Sequence, residues 1–278
     1  MKKKTWLLGV ALVAQLTGFA SAADLAVYKA RPSAPVPVWS WAGFYGGANV
    51  GYGWDRRDVG LALGTTDPAL VGFVQAAQDI GLYPRSYSPS AKGIIGGLQI
   101  GYSWQVGPNG LFGLEADVQG AGIKGSQAHT AFGQFDTTTS GVEKKLDWFG
   151  TVRARLGVLA TPSLLFYATG GLAYGKTEIS FNTADADFGC IPNATLCANG
   201  SSSGVKVGWT AGGGIEAMIA NAWSLKAEYL YLDLGSRSAD IVASTAPVIY
   251  TPSTEFREHI VRIGVNYHFN TGPVVAKY

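Results

Sequence analysis

The side chains able to carry chemistry are few: 3 histidines, 2 cysteines and 19 carboxylates in 278 residues. Hydrolysis by a protein nucleophile needs a histidine on which a hydroxyl or thiol and a carboxylate converge. His129 falls in a polar connection, and His268 stands near the far end of an apolar stretch. His259 is followed on its own face by Val261, and Glu258 beside it points the other way. No such constellation forms along the chain. Cys190 and Cys197 lack a nearby histidine to complete a metal site and sit in a segment rich in Gly, Asn and Ser. In an exported chain such a pair reads as a disulfide closing a loop. Gly212 to Gly214 are no phosphate cradle, because no helix follows them, and they serve instead to relieve crowding and permit curvature. The sequence assigns no catalytic residue, no cofactor and no metal ligand.

Charge, by contrast, is placed with a period. From Leu146 to Val158 the chain reads LDWFGTVRARLGV, with Leu146, Trp148, Val152, Ala154, Leu156 and Val158 on one face and Asp147, Thr151, Arg153 and Arg155 on the other. A repeat of two is a strand. Its charged face is costly to bury without water or a partner of opposite sign. In a soluble sandwich the apolar face would be the core; in a transmembrane barrel it meets lipid and the charges line the lumen.

The ends of the chain bear on that choice. Lys2, Lys3 and Lys4, an apolar run from Trp6 to Ala14 and the Ala20-Ser21-Ala22 site make residues 1–22 a secretory signal peptide, cleaved after Ala22. Export removes cytoplasmic and nucleic-acid functions. With three lysines gone, 18 bases face 19 acids and the mature net charge is −1. No later apolar run approaches the roughly 20 residues of a membrane helix, so a membrane role requires a barrel. Charged residues make up 14% of the chain, and 38 glycines and 12% aromatics accompany them. Soluble domains run nearer about 25% charged.

Residues 23–40, with Pro32, Pro35 and Pro37, read as an extended periplasmic leader. Eight alternating stretches follow: Phe44 to Trp54, Ile94 to Trp104, Phe112 to Gln119, Leu146 to Val158, Leu164 to Gly175, Val207 to Ala217, Trp223 to Tyr231 and Val261 to Phe269. The connections Asp55 to Lys92, Ala121 to Lys145, Glu178 to Gly204 and Leu234 to Arg257 are long; Val106 to Gly110, Ala160 to Ser163 and Ala220 to Ala222 are tight turns. Within the first long connection Asp67 and Pro68 are placed to start a short helix through about Ile80. Long and short alternate strictly, as in an outer-membrane barrel with external loops and periplasmic turns. Aromatics sort likewise. Trp41, Phe44, Trp104, Phe112, Phe166, Trp223, Tyr267 and Phe269 fall at the periplasmic ends, and Tyr52, Trp54, Trp148, Tyr174, Trp209, Tyr229 and Tyr231 at the external ends. The expectation is an all-β fold: residues 41–270 as an eight-stranded antiparallel up-and-down transmembrane β-barrel, with residues 271–278 as a C-terminal tail.

In such a barrel Glu115, Asp117, Asp147, Glu216 and Glu228 point inward with Arg153, Arg155, Lys226 and Arg262. A lumen of about eight strands is just wide enough for side chains to fill it. The arginines are long enough to cross it, which favours a cross-linked ionic core over a narrow pore with a charged eyelet. Eight basic positions mark the external strand ends: Arg57, Lys92, Lys124, Lys145, Lys176, Lys206, Arg237 and Arg257. Such a rim attracts lipid phosphates, or it is an ordinary solvated rim, since Asp55, Glu143, Glu178, Asp233 and Glu258 lie near.

WAGFYGGANVGYGW at the first strand, HIVRIGVNYHF at the last and the closing NYHFN before GPVVAKY carry a resemblance. The chain, over roughly Trp41 to Tyr278, resembles the alphaproteobacterial outer-membrane immunogenic proteins, small opacity-like members of the porin family. That resemblance implies an eight-stranded, surface-exposed barrel of the Gram-negative outer membrane with a structural or antigenic role. The expectation is further that its loops meet lipopolysaccharide or a host or environmental ligand, and that the barrel insertion machinery reads a terminal aromatic; barrels of this kind commonly end on the last strand's aromatic, here Phe269, which is followed by a tail ending in Tyr278. Two alternatives stand beside the structural reading: a small porin passing solutes, and haem-binding or adhesin activity of the loops.

Overall fold

The computed structural model describes residues 40–132, 137–192, 196–220 and 222–269; the expected signal peptide, the leader up to Trp39 and the C-terminal tail lie outside the described residues. In chain order the elements are β1 (Gly43–Asp55), β2 (Val59–Thr65), α1 (Val71–Asp79), β3 (Ser86–Tyr87), β4 (Ala91–Val106), β5 (Gly110–Phe132), β6 (Thr137–Thr161), β7 (Leu164–Asp185), β8 (Ala198–Ala220), β9 (Trp223–Ser238), β10 (Ile241–Val242) and β11 (Val248–His268). Strands β1, β4, β5, β6, β7, β8, β9 and β11 form a ring in which each pairs antiparallel with the next. The ring closes where β11 returns to β1, from Tyr45 opposite His268 to Trp54 opposite His259. Closure leaves no strand edge in the lipid, where an unpaired backbone group is costly.

Period-two alternation puts apolar side chains on the outside of the ring. Ile94, Leu98, Leu156, Leu172 and Val207 are each more than 60% exposed. A continuous band of that kind is stable only in oil. Gly107 at φ 66° makes the tight turn after β4, a backbone conformation open to glycine at no steric cost.

Strands β5, β6, β7 and β8 run for 23, 25, 22 and 23 residues. About 9–11 residues suffice to cross a membrane. Much of Ala121 to Lys145 and of Glu178 to Gly204, read from sequence as loop, is therefore strand standing beyond the bilayer. The extension is stable because it encloses its own apolar core, with Val59, Leu61, Tyr83, Tyr87, Val142, Ile179, Phe181, Val248 and Tyr250 all buried. β2 and β3 help close this upper part, β2 continuing along β11 from Val59 opposite Thr254 to Thr65 opposite Val248. α1 packs Val74 and Ala77 into it, and the 3-10 turn Pro68–Leu70 that leads into α1 is capped by Asp67, whose carboxylate accepts the Ala69 N–H at 2.9 Å.

Two further positions differ from the sequence expectation. Trp41 is not in the girdle but inside, 1% exposed, where Nε1 donates to the Pro162 carbonyl at 2.9 Å. There it stoppers the turn end with Leu111, Leu159, Leu165 and Tyr167. Along β6 the register against β7 slips between Leu146 and Trp148. Such a bulge shifts the side-chain phase, so Leu146 and Phe149 both point inward, at 1% and 0% exposure.

Candidate functional site

The lumen is built by strand register. Glu115 lies opposite Arg153, Glu216 opposite Lys226 and Glu228 opposite Arg262. Each pair is thus set between neighbouring strands before any side chain crosses the axis. Longer reaches knit the pairs together: Arg155 to Glu216 at 2.6 Å, Arg153 to Glu228 at 2.9 Å, Arg262 to Asp117 at 3.0 Å and Lys226 to Glu115 at 3.0 Å. Arg153 also contacts Glu115. Four cations meet four carboxylates, all buried. Ions taken from water are tolerated only when paired and hydrogen-bonded, and this set supplies both conditions. Tyr45 donates to Glu115 at 2.8 Å and Tyr167 to Glu228 at 3.1 Å, while the Arg155 guanidinium lies 4.0 Å from the Tyr167 ring centre. Tyr45 fits because residue 101 is glycine; a Cβ there would lie 2.3 Å from the Tyr45 hydroxyl. Gly214 likewise leaves room for the Tyr167 hydroxyl, which would stand 2.7 Å from a Cβ.

Beside the ionic network Asn49, Gln99 and Asn266 form an amide chain that ends on Glu216. Toward the loop end the filling changes to a second apolar layer, with Ile95, Ile123, Phe149, Leu230, Leu232 and Ile260 buried in it. Just beyond the external aromatic girdle, and outside the membrane-spanning stretches, Lys144 reaches the Asp55 carboxylate with Glu258 beside them; all three are 1% exposed. Burial, reinforced by the neighbouring Asp55 carboxylate and opposed by Lys144, pushes Glu258 up to about 8. This trio went unrecognised in the sequence because all three residues fall in or beside stretches that read as loops. The one signal was the alternation of Lys144 with Val142 and Leu146.

Asp147, expected inside, is outside: the β6 bulge turns it outward, where Lys145 and Lys176 hold it at 2.8 and 3.1 Å. The rim is also less uniform than expected. Arg237 is drawn inward, donating to Thr177 Oγ1 and the Gly204 carbonyl, each at 2.8 Å. Arg257 is held by Asp233 at 2.9 Å and Glu255 at 3.2 Å. Arg57, Lys92 and Lys124 are exposed and Lys206 is half-buried, with no ion pair among the described residues; exposed Arg56 joins them, unmarked by the sequence reading.

The three histidines lie apart. His129 contacts the Gly81 carbonyl, and His259 bonds the Tyr229 hydroxyl at 2.7 Å and stacks on Trp54. His268 does meet a hydroxyl and a carboxylate, which the sequence gave no sign of: Ser224 Oγ is 3.0 Å and Glu216 Oε1 is 3.6 Å from its Nε2. Nucleophile activation uses opposite ring nitrogens for the two partners, whereas here both address the same one and Glu216 is held by Arg155. Ser224 is fully buried. Cys190 and Cys197 are disulfide-bonded, with Cα atoms 5.6 Å apart.

The model of the outer membrane protein beta-barrel domain matches residues 11–269. The chain belongs to this outer-membrane barrel family. It is 38% identical to the 31 kDa outer-membrane immunogenic protein of Brucella melitensis biotype 1, over 93% of this chain and 97% of that one. To the 22 kDa outer membrane protein of Rhizobium leguminosarum bv. viciae it is 29% identical, over 85% and 82%. Among solved structures it aligns with OprG of Pseudomonas aeruginosa at 12% identity and TM-score 0.43, covering 82% of this chain and 97% of that one. As a member of this family it is a protein of the Gram-negative outer membrane, and these relatives are named as outer-membrane proteins rather than as enzymes.

Proposed function

We propose that this family member is a closed, structural barrel that carries a rigid surface-exposed platform and engages the lipopolysaccharide leaflet at its rim. The observation that supports it is the filled lumen. An apolar stopper around Trp41, the ionic network around Arg153 and a second apolar layer around Phe149 succeed one another along one axis. Solute passage would require separating Arg153 from Glu228 and Arg155 from Glu216, bonds at 2.9 and 2.6 Å with no solvent exposure to replace them. The signal peptide, residues 1–22, and the dependence on insertion machinery complete this reading.

Conductance in planar bilayers tests it. The purified, refolded chain is expected to give no unitary steps under an applied voltage. Steady single-channel steps would reject the closed barrel in favour of a small porin.

A further inference from the structure

On one wall of the ring the rim carries like charges in register. Lys92 of β4 is the cross-strand neighbour of Lys124 of β5, and Lys124 that of Lys145 of β6. On its other side Lys92 lies opposite Trp54, which lies opposite His259. Directly opposed side chains of a sheet stand within about 5 Å of each other, and like charges there are destabilising. Lys145 is relieved by Asp147. Lys92 and Lys124 are exposed and have no ion pair among the described residues.

The acids around this pair do not neutralise it. Asp55, near Lys92, turns its carboxylate inward to Lys144 and accepts the Arg57 backbone N–H. The outward acid nearest in register, Glu143, lies diagonal to Lys124 and is itself exposed. Elsewhere on the rim Asp147 holds Lys176, Asp233 and Glu255 hold Arg257, and Lys206 is unpaired but stands alone, opposite Gly175. Among the described residues this sector alone sets two unpaired lysines directly opposite each other.

Its height on the barrel fixes what it meets. Lys92 stands two residues beyond Ile94, which is 70% exposed in the lipid-facing band, so its ammonium lies at the depth of the outer headgroups. Beside it a cleft of 440 Å³ is lined by Tyr52, Trp54, Arg56, Ser90 and Lys92, among others. Indole and phenol rings offer flat apolar surfaces to a sugar ring, and a guanidinium offers two parallel donors to a phosphate.

We infer that Lys92, Lys124 and Arg56, with Trp54 and Tyr52, form a seat for the phosphorylated sugar headgroup of an outer-leaflet glycolipid. The inference rests on the reading of the rim as turned to that leaflet, and it confines the contact to one sector. The two lysines share one phosphoryl group, which removes their mutual repulsion; Arg56 takes a second, and Trp54 packs on the sugar between them.

The test uses the full chain in nanodiscs containing bisphosphorylated lipid A, with dephosphorylated lipid A and inorganic phosphate as the other probes. K92Q/K124Q is expected to retain roughly thirtyfold less bisphosphorylated lipid, at about fivefold per lysine, and to lose the lipid-dependent rise in unfolding midpoint. R85Q, at an exposed base that is not part of the rim, is expected to retain it unchanged. Heat-modifiable migration verifies that each variant is folded. Equal loss in R85Q, unchanged retention in K92Q/K124Q, equal retention of dephosphorylated lipid, or binding of inorganic phosphate alone would each overturn the seat. A conducting barrel with the expected retention pattern would overturn the closed-lumen reading and leave the seat standing; a silent barrel with unaltered retention does the reverse.

Discussion

Between its two apolar layers this barrel is polar inside and apolar outside; above the external girdle the same strands enclose an apolar core. Arg153 and Leu156 of β6 define the first arrangement, at 1% and 63% exposure. Val142 and Ile179 define the second, at 2% and 0%. Backbone pairing is continuous through both, since β6 holds its partners on β7 from Thr161 to Thr138 with slips of register but no break. The difference lies in the solvent. Oil outside makes outward Leu and Val cheap and forces charges inward to find each other, while water outside restores the usual preference. β6 passes from one regime to the other at the bulge around Asp147, where one extra residue is enough to reverse the phase.

The comparison predicts that the two halves fail differently. The largest effect belongs to the lumen. Arg153→Met strands Glu115, Asp117 and Glu228, which it contacts, and should cost about 3–5 kcal/mol, as for any buried ion pair broken from one side. Urea unfolding in detergent micelles reads it, and an unchanged midpoint would mean that water enters the lumen freely. Next comes the external core. Ile179→Ala should cost about 2–4 kcal/mol but only locally, raising protease cleavage of the extended β6 and β7 while the barrel still migrates as folded. A loss of heat-modifiable migration instead would show that the halves unfold as one unit.

The smallest effect concerns Glu258, at the join. Its folded-state pKa of about 8 lies above the ordinary 4.5, so the folded form binds the extra proton between those values. Stability of the loop end is therefore greatest below about pH 4.5, declines as pH rises to 8 and is flat beyond. Hydrogen exchange of residues near Phe256 should quicken by about tenfold or more between pH 5 and pH 8, after correction for intrinsic exchange. Glu258→Gln should remove that dependence, and an identical slope in the variant would assign it to another group.

Much of the architecture could be read from residue order because a strand announces itself by alternation. The eight wall strands, the tight turns and the Asp67 helix start all carry local signals. What was not legible depends on register. A bulge leaves no mark in a period of two, so alternation alone puts Leu146 on the lipid face and Asp147 in the lumen. Trp41 precedes the paired part of β1, where no alternation fixes its side. Ser224, His268 and Glu216 meet only because β8, β9 and β11 lie side by side in this register, bringing together positions 44 residues apart in the chain. Asp55, Lys144 and Glu258 fell in or beside stretches that polarity alone marked as loop, although the strands run on through Lys144 and Glu258.

On the proposed surface-exposed orientation, the extension of β5 to β8 beyond the bilayer has a consequence for how other molecules meet the protein. What would then stand in the medium is a relief held by inter-strand hydrogen bonds, in which Thr139 neighbours both Thr130 and Ala184. A receptor or antibody facing such a relief reads residues from several chain segments at once. A peptide copied from any single segment lacks those neighbours, so recognition of the intact protein should vanish when the chain is unfolded.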